Sequence, residues 1–181
     1  MNSPQVASST LTAPMPAGRR WHVRLALVRA VMGIFPPFTL NRVRLLSLKL
    51  CGIRPGNATL FWGLPRLSGR GPIASRLRVG SYCGFNDGVR FDLANNITVG
   101  NHVSVGHEVS FVTTLSHEGV EAAAPITIED GVWLGTRCTI NGGVTVGAGS
   151  VIGAGMVITA DVPPNTLMTG GKPVSLAKWR S

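Results

Sequence analysis

A chain of 181 residues, 44% hydrophobic and 14% charged, is long enough for one domain with a core of its own. Its formal net charge of +9 is uneven: residues 1–78 carry twelve Lys/Arg and no acid, whereas the remainder carries five Lys/Arg against eight acids. The three cysteines, at positions 51, 83 and 138, have neither metal-site nor disulfide spacing, which excludes a disulfide scaffold and fits a reducing, cytoplasmic setting. The basic block suggests attraction to a polyanion, either an anionic membrane surface or a phosphorylated substrate. Nucleic acid fits less well, because no base-stacking platform or reading motif accompanies the charge.

In chain order, residues 1–18 are rich in Ser, Pro and Ala and read as a disordered tail. Residues 19–52 read as a basic helical cap. Within it, Trp21 to Ile34 is helical in pattern and is stopped by Pro36-Pro37. That run is too short and too charged (Arg24, Arg29) to span a bilayer, and it lacks the cleavage site of a signal peptide. Asn41 is placed to cap a second helix, Arg42 to Leu50, ended by Gly52. Two compatible roles follow: covering the open end of a coil with bare strand edges, and lying on an anionic membrane through residues 19–54.

From Ile53 to Pro163 the chain reads as a single repeat domain. Its clearest part, Ile128 to Pro163, divides into IEDGVW, LGTRCT, INGGVT, VGAGSV, IGAGMV and ITADVP. Every block opens on an aliphatic residue: Ile128, Leu134, Ile140, Val146, Ile152 and Ile158. Fifth positions are small or apolar, which makes Cys83 and Cys138 core residues. A period of six matches neither a helix nor a half-buried strand; it specifies a parallel β-helix of short strands stacked turn on turn. Second-position glycines (Gly135, Gly147, Gly153) are expected to let the backbone turn each corner. The same phase runs from Val79 to Asn96 and from Val99 to Ser116, with a ragged coil before it. Two breaks interrupt it, at Ile97-Thr98 and from His117 to Thr127, the latter expected to leave the coil as a loop. Pro163-Pro164 is expected to end the coil, leaving residues 164–181 as a tail with a turn at Gly170-Gly171.

Among the four histidines, His117 stands apart because it sits where the chain leaves the coil, after Thr113, Thr114 and Ser116. Imidazole is the side chain best suited to accept a proton near neutral pH. The glycine series Gly147 to Gly155 is spaced G-x-G-x-x-x-G with no following helix, which rules out a dinucleotide fingerprint.

These hexads, the histidine at the break, P-I-T-I-E-D-G-V-W-L-G, and V-I-T-A-D-V-P-P-N followed by G-G-K-P together resemble the hexapeptide-repeat acyltransferases. The similarity is greatest to the galactoside and maltose O-acetyltransferase branch, including acetyltransferases of exopolysaccharide biosynthesis. It implies a left-handed parallel β-helix, a homotrimer with sites between subunits, and acetyl-CoA as acyl donor. By the same resemblance, His117 is the general base, Asn86 and Asp92 face the acceptor sugar, and Trp133 lies beside the donor. Gly135, Gly153, Thr159 and Ala160 fall where coenzyme A runs along the coil. Where many members have Thr-Lys, this chain has Thr159-Ala160, which leaves Lys172 or Lys178 to supply the missing cation. Backbone N–H groups near Gly135 are the expected oxyanion donors.

Two other function classes compete. His102, His107 and His117 suit a metal-dependent hydratase of the γ carbonic anhydrase type, in which three imidazoles hold a catalytic ion. A non-catalytic β-helix serving as an assembly module is the second. No metal is expected for the acyltransferase reading.

Overall fold

The computed structural model describes residues 41–117, 120–170 and 172–176. The tail at 1–18, the helix expected at Trp21 to Ile34, and Lys178 lie outside the described residues. The first described element is α1 (Asn41–Leu50), which begins one residue before the expected start and ends at Gly52 with φ +87°. Leu48 and Ile53 join the buried core with Phe61, so α1 closes the open end of the first coil.

The hexads form stacked coils with three faces. The first coil runs through β1 (Leu60–Phe61), β2 (Arg66–Ser68) and the helical turn α2 (Ile73–Arg76). The second comprises β3 (Leu77–Val79), β4 (Gly84–Phe85) and β5 (Arg90–Asp92), and the third β6 (Ile97–Val99), β7 (Ser104–Val105) and β8 (Ser110–Val112). The chain then departs through β9 (Thr114–His117) and β10 (Val120–Ala123). It resumes with β11 (Ile126–Ile128), β12 (Trp133–Leu134) and β13 (Thr139–Asn141), then β14 (Thr145–Val146), β15 (Val151–Ile152) and β16 (Val157–Ile158). Last come β17 (Thr166–Thr169) and β18 (Lys172–Ser175).

Pairing between coils is parallel and in register. On the first face Val79, Val99, Ile128 and Val146 stand in line. On the second face Phe85, Val105, Leu134 and Ile152 do so, and on the third Leu67, Phe91, Phe111 and Ile140. Between paired strands the backbone N–H groups donate to carbonyls of the adjoining coil, at about 4.8 Å strand spacing. The interior is dry and close-packed: the opening residues of the hexads point inward, and so do fifth-position Val132, Cys138, Val144 and Ser150. Among the early coils the core is aromatic, with Phe61 stacked on Phe85 at 4.6 Å and Phe91 on Phe111 at 4.8 Å.

Four expectations are corrected. Ile97 and Thr98 do not break the repeat; they are strand residues paired with Leu77-Arg78 and Ile126-Thr127, and the extra length sits in the turn at 93–96. The excursion is an antiparallel hairpin rather than an irregular loop, and it starts at Thr114, three residues before His117. Pro163-Pro164 does not end the prism. Thr166–Thr169 adds a strand parallel to β15, and the Thr166 N–H donates to Ser150 Oγ at 3.1 Å. The two prolines sit in a corner, where a missing N–H costs no ladder bond, and Pro163 offers its carbonyl to the Ser150 hydroxyl at 2.8 Å. The expected turn falls at Gly170, with φ +59°, between β17 and β18; Gly171 lies outside the described residues.

The fourth correction concerns the glycines. The corner is turned at the fourth hexad position, where Gly131, Arg137, Gly143, Gly149 and Gly155 all have positive φ between 59° and 86°. Second-position glycines serve close approach instead. A Cβ on Gly106 would lie 2.7 Å from the Thr136 nitrogen, and one on Gly135 would lie 2.6 Å from the Ala154 nitrogen. Adjacent coils therefore touch backbone to backbone at those corners.

Gly106→Ala is expected to cost about 3 kcal/mol, as overpacking against immovable backbone does. Gly155→Ala has φ +71° but nothing within 4 Å of the added carbon, so it is expected to cost about 1 kcal/mol. Denaturant unfolding of the two variants beside the parent measures the difference.

Candidate active site

The second hexad position also organises the polar residues. At three such positions the side chain reaches the neighbouring strand and bonds its backbone. Asn86 Nδ2 donates to the Val105 carbonyl at 3.2 Å, and Glu129 Oε2 accepts the Ala148 N–H at 2.8 Å. Asp92 Oδ2 accepts the Thr114 N–H at 2.8 Å and the Thr114 hydroxyl at 2.6 Å. Asn86, Asp92, Gly135, Gly153 and Thr159 all occupy this position.

They do not share one place. Asn86, Gly135 and Gly153 belong to the corner between second and third faces, directly after β4, β12 and β15. Trp133 projects from the second face between Ser104 and Val151 and is 58% exposed. Asp92 belongs to the corner after the third face, in register with Ser68, Val112 and Asn141. Thr159 and Ala160 are exposed at that same corner, after β16. A third-face strand separates the two columns, six residues or up to about 20 Å of extended chain.

The hairpin rises from the Asp92 corner and carries His117 at the end of β9, opposite Val120. The His117 side chain lies outside the described residues, as does that of Lys172, whose backbone pairs with Thr169 in β18.

The expectation for the oxyanion is not met at Gly135. Its N–H donates to the Ile152 carbonyl at 2.7 Å, and that of Gly153 donates to the Met168 carbonyl at 2.8 Å. Both amides are committed to coil stacking, so an oxyanion receives no donor from either. Asp161, beside Ala160, accepts the Thr145 N–H at 2.7 Å.

Among the described residues, no group of three or more His, Cys, Asp and Glu side chains is placed to hold a metal ion. His102 and His107 are both exposed, and the His102 ring stacks on Tyr82 at 5.0 Å. Glu108, next to His107, pairs with Arg137 at 2.9 Å, and the Arg137 hydrogen bond holds its carboxyl below the usual range. The residues that sequence reasoning missed are Asn95 and Gly142 at the hairpin base, where Asn95 bonds Ala123 and Thr113. The Asn-Asn pair Asn95-Asn96 beside a register slip was the available signal.

Desolvation pushes the buried thiols up: Cys138 to about 12, and Cys83 above its ordinary range. Neither is placed for covalent catalysis. Iodoacetamide at neutral pH is expected to modify Cys51 first, with Cys83 and Cys138 reacting only on unfolding; mass spectrometry of labelled peptides reads the order.

Parallel coils of six-residue units with an extruded hairpin define a hexapeptide-repeat β-helix protein. Residues 125–160 match the family model for the hexapeptide repeat of succinyl-transferase. A Schizosaccharomyces pombe protein provisionally named an acetyltransferase is 45% identical over 87 residues, 43% of this chain and 42% of its own. The galactoside O-acetyltransferase of Escherichia coli is 37% identical over 81 residues, 41% of this chain and 40% of its own. The matched stretch thus spans about two fifths of these relatives. A hexapeptide-repeat acetyltransferase of Vibrio cholerae, solved with acetyl coenzyme A, has TM-score 0.72 and 25% identity, covering 84% of this chain and 83% of that one. Residues 125–160 thus carry the hexapeptide repeat, and over most of its length the chain is similar in fold to hexapeptide-repeat acetyltransferases.

Proposed function

We propose that this protein transfers an acetyl group from acetyl-CoA to a hydroxyl of a sugar, in a polysaccharide or glycan precursor, with His117 as general base. The observation that carries this reading is the hairpin: among the described residues the prism is interrupted by a two-stranded excursion, and that excursion bears His117. The likeness to a structure solved with acetyl coenzyme A supports the donor, and the galactoside O-acetyltransferase relative supports a sugar acceptor.

A sugar hydroxyl attacks a thioester well when its proton leaves as the new bond forms. The unprotonated His117 imidazole accepts that proton while the oxygen adds to the carbonyl carbon. The tetrahedral intermediate collapses, the C–S bond breaks, and the imidazolium returns the proton to the departing thiolate. The products are the O-acetyl sugar and free coenzyme A, with no acyl-enzyme. Exposed Trp133 offers a flat apolar surface to the donor, and Lys172 and Lys178 offer charge to its phosphates.

The active unit in this reading is a homotrimer. One chain puts Asn86 and Trp133 on one corner and Asp92 and the hairpin on another, so a second copy brings the two columns face to face. Replacing His117 with alanine is expected to lower acetyl transfer by about 10²- to 10⁴-fold without loss of fold, read by thiol release from acetyl-CoA across a panel of sugar acceptors. Turnover at the parental rate would overturn the assignment.

The basic amino-terminal region contacts an anionic membrane surface in the same reading. Among the described residues no helix is long and apolar enough to cross a membrane. Helix α1 supports surface binding because, besides the face that carries Leu48 into the core, it exposes large apolar side chains. Arg44 is 2% exposed, whereas Val43, Leu46 and Leu50 stand 40%, 57% and 67% exposed on one side, with Arg42 and Lys49 also exposed. Leu46→Glu with Leu50→Glu is expected to weaken co-sedimentation with phosphatidylserine-containing vesicles by at least about tenfold. Equal binding by parent and variant would sink this element.

A further inference from the structure

The side chain of Asp92 grips the chain at the point where it leaves the prism. Its Oδ2 accepts both the N–H and the hydroxyl of Thr114, the first residue of β9. The buried Thr113 hydroxyl donates to the Asp92 carbonyl at 2.7 Å and accepts the Asn95 N–H at 3.0 Å. On the returning leg Asn95 Nδ2 donates to the Ala123 carbonyl at 2.8 Å, and the Ala124 N–H donates to the Thr113 carbonyl at 3.0 Å. The next coil closes against the same spot: a Cβ on Gly142 would lie 2.7 Å from the Thr113 oxygen and 3.0 Å from that of Ala124. Both legs of the hairpin are thus clasped, by Asp92 and Asn95 from one coil and by Gly142 from the other.

We propose that Asp92 is a positioning residue for the hairpin, acting through Thr114 to fix the direction in which β9 carries His117. The proposal rests on the reading of His117 as the base and deepens it. It differs from a direct contact between Asp92 and the acceptor, because the oxygen that faces the hairpin is engaged by two donors of Thr114. A charge-assisted pair of bonds to a single carboxylate oxygen is the strongest polar tie in this corner. It replaces the backbone ladder that ends at Val112, the last residue of β8 to pair with β5. Glu129 makes the same kind of bond to Ala148 inside the regular coil; at Asp92 the recipient happens to be the departing strand.

Hydrogen exchange of the β9–β10 ladder amides, combined with steady-state kinetics on the full chain, separates the two roles. Asp92→Asn and Thr114→Val are each expected to speed exchange of those amides by about tenfold or more. Each is also expected to lower kcat while leaving the acceptor KM within about twofold of the parent. The double variant should be no worse than Asp92→Asn, because the two changes remove one interaction, and Thr114→Ser should behave as the parent. Unchanged exchange in Asp92→Asn with a raised acceptor KM, or a silent Thr114→Val, would overturn the proposal. If Asp92→Asn does not fold, Thr114→Val carries the test. Parental turnover by His117→Ala would refute the base assignment while leaving the exchange result to stand or fall alone.

Discussion

Backbone contact between neighbouring coils is the constraint on which the rest of the structure depends. Every strand gives its N–H groups to the coil beside it, at the strand spacing of a sheet, and the corners must satisfy the same spacing. Two devices make that possible. The fourth hexad position takes left-handed φ to turn the chain, in Gly131, Gly149 and Gly155 and even in Arg137, Tyr82 and His102. The second position either lacks a side chain, as at Gly106 and Gly135, or sends a polar one to the adjoining backbone, as at Glu129. With both in place, the interior fills with aliphatic and aromatic residues, and buried hydroxyls such as Ser150 and Thr113 are hydrogen-bonded to backbone.

The same constraint shapes the candidate site. A lattice this regular holds outward side chains in fixed columns, so function must be written on corners and on excursions. Asn86 and Asp92 use their side chains partly to bind the coil, and the amides of Gly135 and Gly153 are spent on it. What projects from the lattice is Trp133 on one face and the hairpin bearing His117, the groups on which the proposed reaction draws. Two columns on separate corners of one chain are the physical motive for reading the active unit as several copies.

Much of this was legible from residues. The opening aliphatics from Ile128 to Ile158, and Cys83 and Cys138 at fifth positions, are buried as the period required. The helix ending at Gly52 and the turn at Gly170 were signalled by glycine alone. The register slip was visible as two extra residues but was placed at Ile97-Thr98 instead of the turn before it, because an isoleucine and a threonine look alike in strand and turn until their partners are known. The start of the hairpin was misjudged for a similar reason: Phe111 to Ser116 fits a hexad locally, but Asp92, twenty-two residues before Thr114, accepts both its N–H and its hydroxyl where the chain departs.

By itself the sequence determined the repeat, its period and the inward residues, since these follow from side-chain volume and hydropathy recurring every six residues. Only the tertiary structure decided which glycines turn corners and which admit a neighbouring backbone, because identical residues differ there by φ and by what lies across the gap. It alone decided that Asp92 faces Thr114, that the Gly135 amide is occupied, and that α1 buries an arginine while exposing leucines. Those outcomes depend on contacts between coils, and a linear pattern carries no record of which residue the next coil brings alongside.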